Sequence, residues 1–251
     1  METSPKSYSS KLISEVYPTL VPMRRFVDKN QNFFRLKRVF DFTLSLIVTI
    51  SLLSWLFPLI ALLIWLESRG PVLFIQRRVG LGGRSFKCLK FRTMVMNSEA
   101  NSKQAQENDA RITRVGRFLR VSNLDEFPQF FNVLLGDMSI VGPRPHMHAD
   151  CTKFASVVNG YKFRNMVKPG ITGLAQVKGY RGPTKDFASI FHRYQFDAFY
   201  VRNANFWLDM RIIRKTASQT VIALVKKATG EKNSSPYIHR RWVMAVRSFL
   251  S

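Results

Sequence analysis

The sequence predicts an α/β chain that is mostly helical, contains a short sheet and is anchored to a membrane by one apolar segment. Three observations lead to this fold class. About 46% of the 251 residues are apolar, which is enough for a packed core. The stretch Phe42–Leu66 contains no charged side chain. After it, short extended runs bounded by glycine are followed by segments with the apolar periodicity of helices.

The charge of the chain restricts its partners. It has 39 Lys and Arg against 16 Asp and Glu, a formal net charge of +23. Such a chain is attracted to polyanions: nucleic acid, an anionic lipid surface or phosphorylated substrates. Its two cysteines, Cys88 and Cys151, cannot form a disulfide framework. Composition alone therefore leaves a basic membrane-anchored scaffold or a nucleic-acid-binding protein open beside an enzyme.

The apolar stretch is long enough to enter a membrane. As a straight helix it would measure about 37 Å, against about 30 Å for a hydrocarbon core. Basic residues flank it on both sides: Arg24, Arg25, Lys29, Arg35, Lys37 and Arg38 before it, and Arg69, Arg77, Arg78 and Arg84 after it. The positive-inside rule places both flanks in the cytoplasm, which a hairpin satisfies and a straight span does not.

Pro58 is the predicted break in this segment. Its ring nitrogen cannot donate to the carbonyl of Ser54, and the ring clashes with that turn. The hydroxyls of Ser51 and Ser54 can bond carbonyls freed nearby, as a lipid environment requires. A kinked single span is the alternative, and the charges alone do not decide between the two.

Beyond the membrane segment, a hairpin of strands and several helices are predicted. Val72–Gln76 and Ser85–Phe91 are the strands, separated by a glycine-rich loop. Arg111–Arg120 has an arginine at every third position, which is typical of an amphipathic helix that lies on an anionic membrane, cradles phosphates or simply faces solvent. Ile190–Tyr200 and Trp207–Lys227 are helical by pattern, and the second has an interfacial character.

Two adjacent acids form the most suggestive cluster. A helix is predicted to start near Asn123–Glu126 and to end at Gly136. Asp125 and Glu126 would then lie at its N-terminus, where exposed backbone N–H groups stabilise carboxylates without any catalytic role. Alternatively, an acid beside a phosphate site is a Mg²⁺ ligand or a nucleophile.

Two arginines near these acids are candidates for phosphate binding. Arg120 precedes Asp125 by five residues. Arg144 stands between Pro143 and Pro145 on a stiff loop, which suits bidentate phosphate recognition and equally permits an exposed loop arginine.

Together these segments resemble the bacterial sugar transferase family, the monotopic phosphoglycosyl transferases that begin glycan assembly on a polyprenyl phosphate. The matching blocks lie in the family's order, and LDEFPQ and GPRP are the most specific of them. The blocks are KRVFDFTLSLI, SRGPVLFIQRRVG, FKCLKFRTM, DARITRVGRFLRVSNLDEFPQFFNVLLGDMSIVGPRP, VKPGITGLAQVKGYRG and FDAFYVRNANFWLDMRII. They cover most of the chain, from about Lys37 to about Lys215.

The resemblance implies an enzymatic activity and a set of site residues. It implies that Asp125 and Glu126 are the catalytic dyad and bind Mg²⁺. It also implies that Asp125 attacks a nucleotide-diphosphate sugar to give a covalent phosphosugar. Polyprenyl phosphate then takes the phosphosugar, and a nucleoside monophosphate, expected to be UMP, is the first product. The residues expected to bind phosphate or substrate are Arg120, Arg144, Pro143, Pro145, Lys90, Arg92 and Gln129.

The resemblance also implies a topology and a division of the chain. The membrane segment is expected to be re-entrant, a helix-break-helix with both ends cytoplasmic and the break at Pro58 and Ser54. Phe57 stands where some members have serine, which leaves the geometry of the break open. The expected parts are a cytoplasmic or interfacial tail (1–36), the re-entrant helix (37–68), the catalytic domain (69–227) and a basic extension (228–251). The short N-terminal part resembles the minimal members of the family.

The expected location is the cytoplasmic face of a bacterial inner membrane. The expected partners are a nucleotide-sugar donor, the polyprenyl phosphate acceptor and the anionic lipid surface, and not nucleic acid. A homo-oligomer and docking of a later glycosyltransferase remain open at this stage.

Overall fold

A computed structural model of the chain describes residues 27–96, 109–182 and 186–229. Its first long helix comprises α1 (Gln31–Val48), a π-helical turn (Thr49–Leu53) and α2 (Ser54–Glu67). The helix therefore begins before position 37, inside the stretch predicted as a tail. Residues 1–26 of that tail and residues 230–251 of the basic extension lie outside the described residues.

The rest of the described chain is mostly helical, as predicted, and contains two small sheets where one short sheet was predicted. The helices are α3 (Arg114–Ser122), α4 (Gln129–Leu135), α5 (His148–Val157), α6 (Leu174–Val177), α7 (Phe187–Asn203) and α8 (Phe206–Ala228). The strands are β1 (Leu73–Val79), β2 (Ser85–Phe91), β3 (Ser139–Val141) and β4 (Gly170–Thr172). Short 3₁₀ turns lie at Leu81–Gly83, Leu124–Glu126 and Tyr161–Met166.

The two sheets differ in direction. β1 and β2 pair antiparallel from Leu73 opposite Phe91 to Val79 opposite Ser85, which confirms the predicted hairpin. β3 and β4 pair parallel, with Ser139 opposite Gly170. Gly142 follows β3 at a close approach to the chain before β4, because a Cβ there would lie 2.4 Å from the carbonyl oxygen of Lys168. The loop after β3 is thereby held against a neighbouring backbone.

The apolar helix packs one face on the domain and leaves the other exposed. Ile60 and Ile64 are buried in one cluster with Phe91 and Leu119, so α2 is joined to the hairpin and to α3. The helix Gln31–Glu67 is long and apolar enough to cross a membrane. Its exposed side carries Leu36, Val39, Phe42, Ile47, Ile50, Trp55, Leu59, Leu62, Trp65 and Leu66. Such a patch marks a surface that is covered by lipid or by protein.

Both ends of this helix dock on the same domain. Near its start, Lys37 Nζ lies 2.6 Å from Asp209 Oδ2 in α8, and the Ser139 hydroxyl in β3 donates to Asp41 at 2.6 Å. At its end, Glu67 accepts the backbone N–H groups of Arg114 and Val115, at 2.6 and 2.9 Å, and so caps α3. As a straight helix, residues 41 to 67 would span about 39 Å.

The irregular part of the helix lies before Pro58. The five residues Thr49–Leu53 form a π-helical turn, and the residues that flank it, Val48 and Ser54, have helical dihedral angles. A widened turn ahead of a proline accommodates the ring and the missing N–H. The Ser51 and Ser54 hydroxyls donate to the carbonyls of Ile47 and Ile50, at 2.6 Å each, so both satisfy backbone groups one turn earlier.

Candidate active site

Asp125 and Glu126 lie in a tight turn between two helices. α3 ends at Ser122, Asn123 takes a left-handed conformation with φ of 60°, and Leu124–Glu126 form a single 3₁₀ turn. The following helix, α4, starts only at Gln129, because Pro128 can occupy its N-cap but not its interior. The sequence indicated that the dyad lies in the first turn of a long helix. The structure instead places it on a separate turn before that helix. Gly136, with φ of 92°, ends α4 as predicted.

Glu126 is the centre of a cluster of cations. Its Oε1 accepts Lys90 Nζ at 2.7 Å and Arg144 Nη2 at 2.6 Å. Its Oε2 accepts Arg144 Nη1 at 3.2 Å and lies 3.8 Å from Arg181 Nη2. Three cations thus come from β2, the loop after β3 and the loop after α6. Because Glu126 is only 4% exposed, these charge-assisted bonds are shielded from water.

The charges in this cluster shift the pKa of both partners of the ion pair. Burial favours the neutral form of Glu126, but the charges of Arg144 and Lys90 hold its pKa well below the usual range. Burial opposes the charged form of Arg144, yet the Glu126 carboxylate raises the pKa of that guanidinium. Glu126 is therefore a permanent anion that assembles the cations.

Asp125 has a different environment. Its side chain is partly exposed and makes no hydrogen bond or ion pair within the ranges 27–96, 109–182 and 186–229. Burial and the neighbouring charge of Glu126 raise its pKa, while Lys90 and Arg181 oppose the shift. Two adjacent carboxyls with pKa values moved in opposite directions have separate roles. Asp125 is the one that remains available to a ligand.

The loop that carries Arg144 is fixed through its carbonyls. Arg164 Nη2 donates to the Arg144 carbonyl at 2.5 Å, and Arg78 Nη1 donates to the Pro145 carbonyl at 2.6 Å. Arg164 is itself held by a buried ion pair with Asp197 of α7, at 2.8 Å. Pro143 and Pro145 are buried on either side of Arg144. The prolines thus stiffen the loop that carries Arg144, and substrate binding by Pro143 and Pro145 themselves stays a prediction.

Arg181 was not among the residues predicted for the site. Its side chain is 43% exposed, more than those of Lys90 (16%) and Arg144 (19%). Arg193 of α7 fixes the loop, because its Nη2 donates to the Gly182 carbonyl at 2.6 Å. The available signal was that Arg181 falls within the block VKGYRG, but spacing alone does not connect that block to the dyad.

The remaining predicted site residues lie in different places. Arg120 contacts the segment that follows β2, where its Nε donates to Thr93 Oγ1 at 2.8 Å. Gly116 permits this approach, since a Cβ there would lie 2.1 Å from the Thr93 carbonyl oxygen. Arg92 donates to the carbonyls of Ser68 and Arg69 and so holds the chain after α2. Gln129 is buried at the start of α4. Lys90 and Arg144 are the predicted cations that the fold brings to Glu126.

A divalent cation fits one of the two acids better than the other. Mg²⁺ is commonly held by one or two carboxylates together with substrate phosphates and water. Asp125 suits this, since its carboxylate is partly exposed and forms no ion pair among the described residues. Glu126 already contacts Lys90, Arg144 and Arg181. The described chain contains no cluster of three or more acids, histidines or cysteines, so protein ligands alone do not form a metal site there.

A carboxylate pair surrounded by cations, near an apolar helix long enough to cross a membrane, is typical of a domain that binds phosphorylated ligands. The chain belongs to the bacterial sugar transferase family, whose profile matches residues 31–223. The matched range includes the apolar helix, the dyad and the cations Lys90, Arg144 and Arg181.

Three relatives show how the chain compares with known proteins. It is 48% identical over 196 residues to a UDP-glucose:undecaprenyl-phosphate glucose-1-phosphate transferase of Xanthomonas campestris, covering 76% of this chain and 40% of that protein. A protein of the same name from Klebsiella pneumoniae is 46% identical, over 70% of this chain and 38% of its own length. An exopolysaccharide production protein of Rhizobium leguminosarum is 45% identical, over 71% of this chain and 91% of its own length. The chain thus spans about two fifths of the first two relatives.

Proposed function

We propose that the chain transfers a sugar-1-phosphate from a UDP-sugar to undecaprenyl phosphate, giving undecaprenyl-diphosphate-sugar and UMP, as the first step of exopolysaccharide assembly. The observation that carries the proposal is the contrast within the dyad. Glu126 gathers three cations that can neutralise a diphosphate, and Asp125 stands beside them without a partner on the described chain. The names of the relatives indicate the same donor and acceptor.

In the first step, Asp125 is the nucleophile. One of its carboxylate oxygens attacks the phosphorus attached to the sugar, and the bond from this phosphorus to the bridging oxygen of the diphosphate breaks. UMP leaves with that oxygen and its electron pair, and the phosphosugar remains on Asp125 as an acyl phosphate. Arg144, Lys90 and Arg181 are placed to offset the charge on the diphosphate.

In the second step, a phosphate oxygen of undecaprenyl phosphate attacks the acyl phosphate. The new diphosphate bond forms, and the carboxylate of Asp125 is released unchanged. Splitting the transfer in this way means that two highly charged substrates never have to react with each other directly. Glu126 keeps the cations in place through both steps.

Magnesium is part of this proposal. Asp125 and the donor diphosphate would hold Mg²⁺, which supplies charge neutralisation at the transferring phosphorus. Glu126 remains a candidate ligand only if it gives up one of its cationic contacts. The side chains of the protein bind the diphosphate, orient the nucleophile and stabilise the leaving group.

The proposed topology is monotopic, on the cytoplasmic face of the inner membrane. If the apolar helix crossed the bilayer, its two ends would lie on opposite sides. Yet Lys37 and Asp41 near one end and Glu67 at the other all contact the same domain. A re-entrant helix, bent at the π-helical turn ahead of Pro58, places both ends on one side. The exposed apolar side chains then face lipid.

The test is a screen for UMP release. The purified chain is mixed with undecaprenyl phosphate, Mg²⁺ and, in turn, UDP-glucose, UDP-galactose, UDP-N-acetylglucosamine or UDP-N-acetylgalactosamine. We expect release with one hexose donor, UDP-glucose or UDP-galactose, and formation of the matching lipid diphosphate sugar. Failure with every donor, in a preparation that is folded, would instead support the non-catalytic membrane-anchored scaffold.

A further inference from the structure

Asn123 has an unusual backbone conformation directly before the dyad. It is the one non-glycine residue with a positive φ within residues 27–96, 109–182 and 186–229. The position ends α3, where glycine is the commonest residue because left-handed backbone strains other side chains. The carbonyl of Asn123 accepts the Glu126 N–H at 3.2 Å and closes the turn Leu124–Glu126. The conformation of Asn123 therefore sets where this turn points.

The side chain of Asn123 is held from a distant helix. Its Nδ2 donates to the hydroxyl of Thr220, at 2.7 Å, across 97 positions of sequence. Its Oδ1 is buried and accepts no hydrogen bond on the described part of the chain. Asparagine tolerates the left-handed region largely through local hydrogen bonds of its own amide. Here the amide is instead anchored to α8.

We propose that Asn123 and Thr220 are positioning residues, which aim the catalytic turn by anchoring it to α8; this rests on the function proposed above. Asp125 makes no side-chain hydrogen bond or ion pair on the described chain, so its backbone turn determines its direction. Displacing a nucleophile by about 1 Å can cost about a hundredfold in rate. One hydrogen bond to the residue that starts the turn is thus well placed to matter.

The anchor should affect turnover more than binding. The cations that face Glu126 come from β2 and from the loops after β3 and α6. None of these segments contains Asn123 or Thr220. Glu126 lies in the same turn, but it is also held by Lys90 and Arg144, whereas Asp125 forms no ion pair on the described chain. Loosening the turn should therefore lower the rate at which Asp125 attacks much more than the affinity for the donor diphosphate.

The first variant is Thr220→Val, which removes the hydroxyl at nearly constant volume. We expect kcat for UMP release to fall at least about fivefold, the equivalent of one net hydrogen bond, with KM for the UDP-sugar within about twofold. Thr220→Ser should restore kcat, because it returns the hydroxyl. Ser218→Ala, at an exposed position of the same helix, is the matched control and should behave as wild type.

Asn123→Gly tests the partner. Glycine keeps the left-handed backbone but lacks the amide, so its kcat should match that of Thr220→Val. The double variant should be no worse than either single one, because both remove the same interaction. Additive losses, or Thr220→Val with the kcat of wild type, would overturn the proposal.

Hydrogen exchange supplies a measurement that does not depend on activity. In Thr220→Val, the peptide that contains Glu126 should exchange faster than in wild type, with the melting temperature within a few degrees. Unchanged exchange would refute the anchoring role even if the wild type released no nucleotide. Faster exchange in Thr220→Val than in a wild type that releases no UMP would support the anchor and refute the proposed function alone.

Discussion

Arg144 donates a hydrogen bond to each carboxylate oxygen of Glu126, from Nη2 to Oε1 at 2.6 Å and from Nη1 to Oε2 at 3.2 Å. Such two-point contact depends on the planar fork of a guanidinium, which an ammonium group cannot reproduce. The backbone carbonyls of Arg144 and the next residue, Pro145, accept hydrogen bonds from Arg164 and Arg78 respectively. Arg144 is thus held through both its side chain and its backbone.

Arg144→Lys should therefore be a damaging substitution despite the retained charge. We expect kcat/KM for UMP release to fall about 10- to 100-fold, which corresponds to the loss of one hydrogen bond to a charged group. The matched control is Arg84→Lys, at an exposed position of the hairpin loop, which should stay within about twofold of wild type. Comparable rates for the two variants would contradict the role given to the Arg144–Glu126 pair.

Asp125→Asn should abolish turnover without releasing the protein from the membrane. The amide is not a nucleophile, so UMP release should fall below a few per cent of wild type, on the scale of losses seen when a catalytic nucleophile is removed. With a radiolabelled UDP-sugar and no acceptor, wild type should retain label on the protein and the variant should not. Asp28→Asn, at an exposed position far from the dyad in sequence, serves as the control. Label retained by Asp125→Asn would remove Asp125 from the nucleophile role.

Sequence patterns predicted the local elements well. The hairpin, the helix that Gly136 ends and the apolar helix follow from periodicity and from glycine and proline chemistry, which act over a few residues. The separate 3₁₀ turn of Asp125 and Glu126 was missed, since it depends on the left-handed Asn123, and that conformation is stabilised by Thr220 of α8. Local pattern contains no information about a contact 97 residues away.

The same limit applies to the cations of the site. Arg144 was a candidate because of its stiff loop and Lys90 because of the resemblance to the family, and the fold brings both to Glu126. Arg181 lies 3.8 Å from Glu126 on a loop whose Gly182 carbonyl accepts a hydrogen bond from Arg193 of α7, a contact that sequence pattern does not reveal. Arg92 looks equally suitable in sequence, but its guanidinium donates a hydrogen bond to the carbonyl of Arg69, just after α2. Phosphate binding by Arg92, Arg120 and Gln129 stays a prediction.

Removal of divalent cations should slow the reaction. Without a metal, only the side-chain cations would offset the negative charge of the diphosphate, which repels the carboxylate of Asp125. We expect EDTA to lower UMP release by at least about tenfold, the scale of one strong charge interaction, and Mg²⁺ to restore it. Metal binding can be read separately from Mn²⁺ electron paramagnetic resonance in the presence of UDP. Wild type should bind Mn²⁺ and Asp125→Asn should not; equal binding by both would place the metal elsewhere.

The ion pair of Lys37 with Asp209 should stabilise the docking of the apolar helix. Both side chains are buried, and Tyr200 also donates to Asp209 at 2.8 Å. Asp209→Asn removes the closer of the two carboxylates that face Lys37 and leaves Asp41 at 3.5 Å, so it should cost less than the roughly 3–5 kcal/mol of a fully unpaired buried charge in the free energy of unfolding. Replacing both residues, as Lys37→Met with Asp209→Leu, should cost less than the single change. Thermal unfolding in detergent measures this, and a double variant less stable than Asp209→Asn would contradict the reasoning.

The re-entrant topology can be tested with single cysteines on either side of the apolar helix. Burial raises the pKa of the Cys88 thiol, which is 1% exposed, so a Cys151→Ser background should be nearly silent to maleimides. Asn32→Cys and Lys87→Cys are both exposed and flank the helix. In intact cells an impermeant maleimide should label neither, and after lysis it should label both, because both would lie in the cytoplasm. Labelling of Asn32→Cys alone in intact cells would mean that the helix spans the bilayer. Pro58→Ala in the same background should make that outcome more frequent, since an alanine lets the helix run straight.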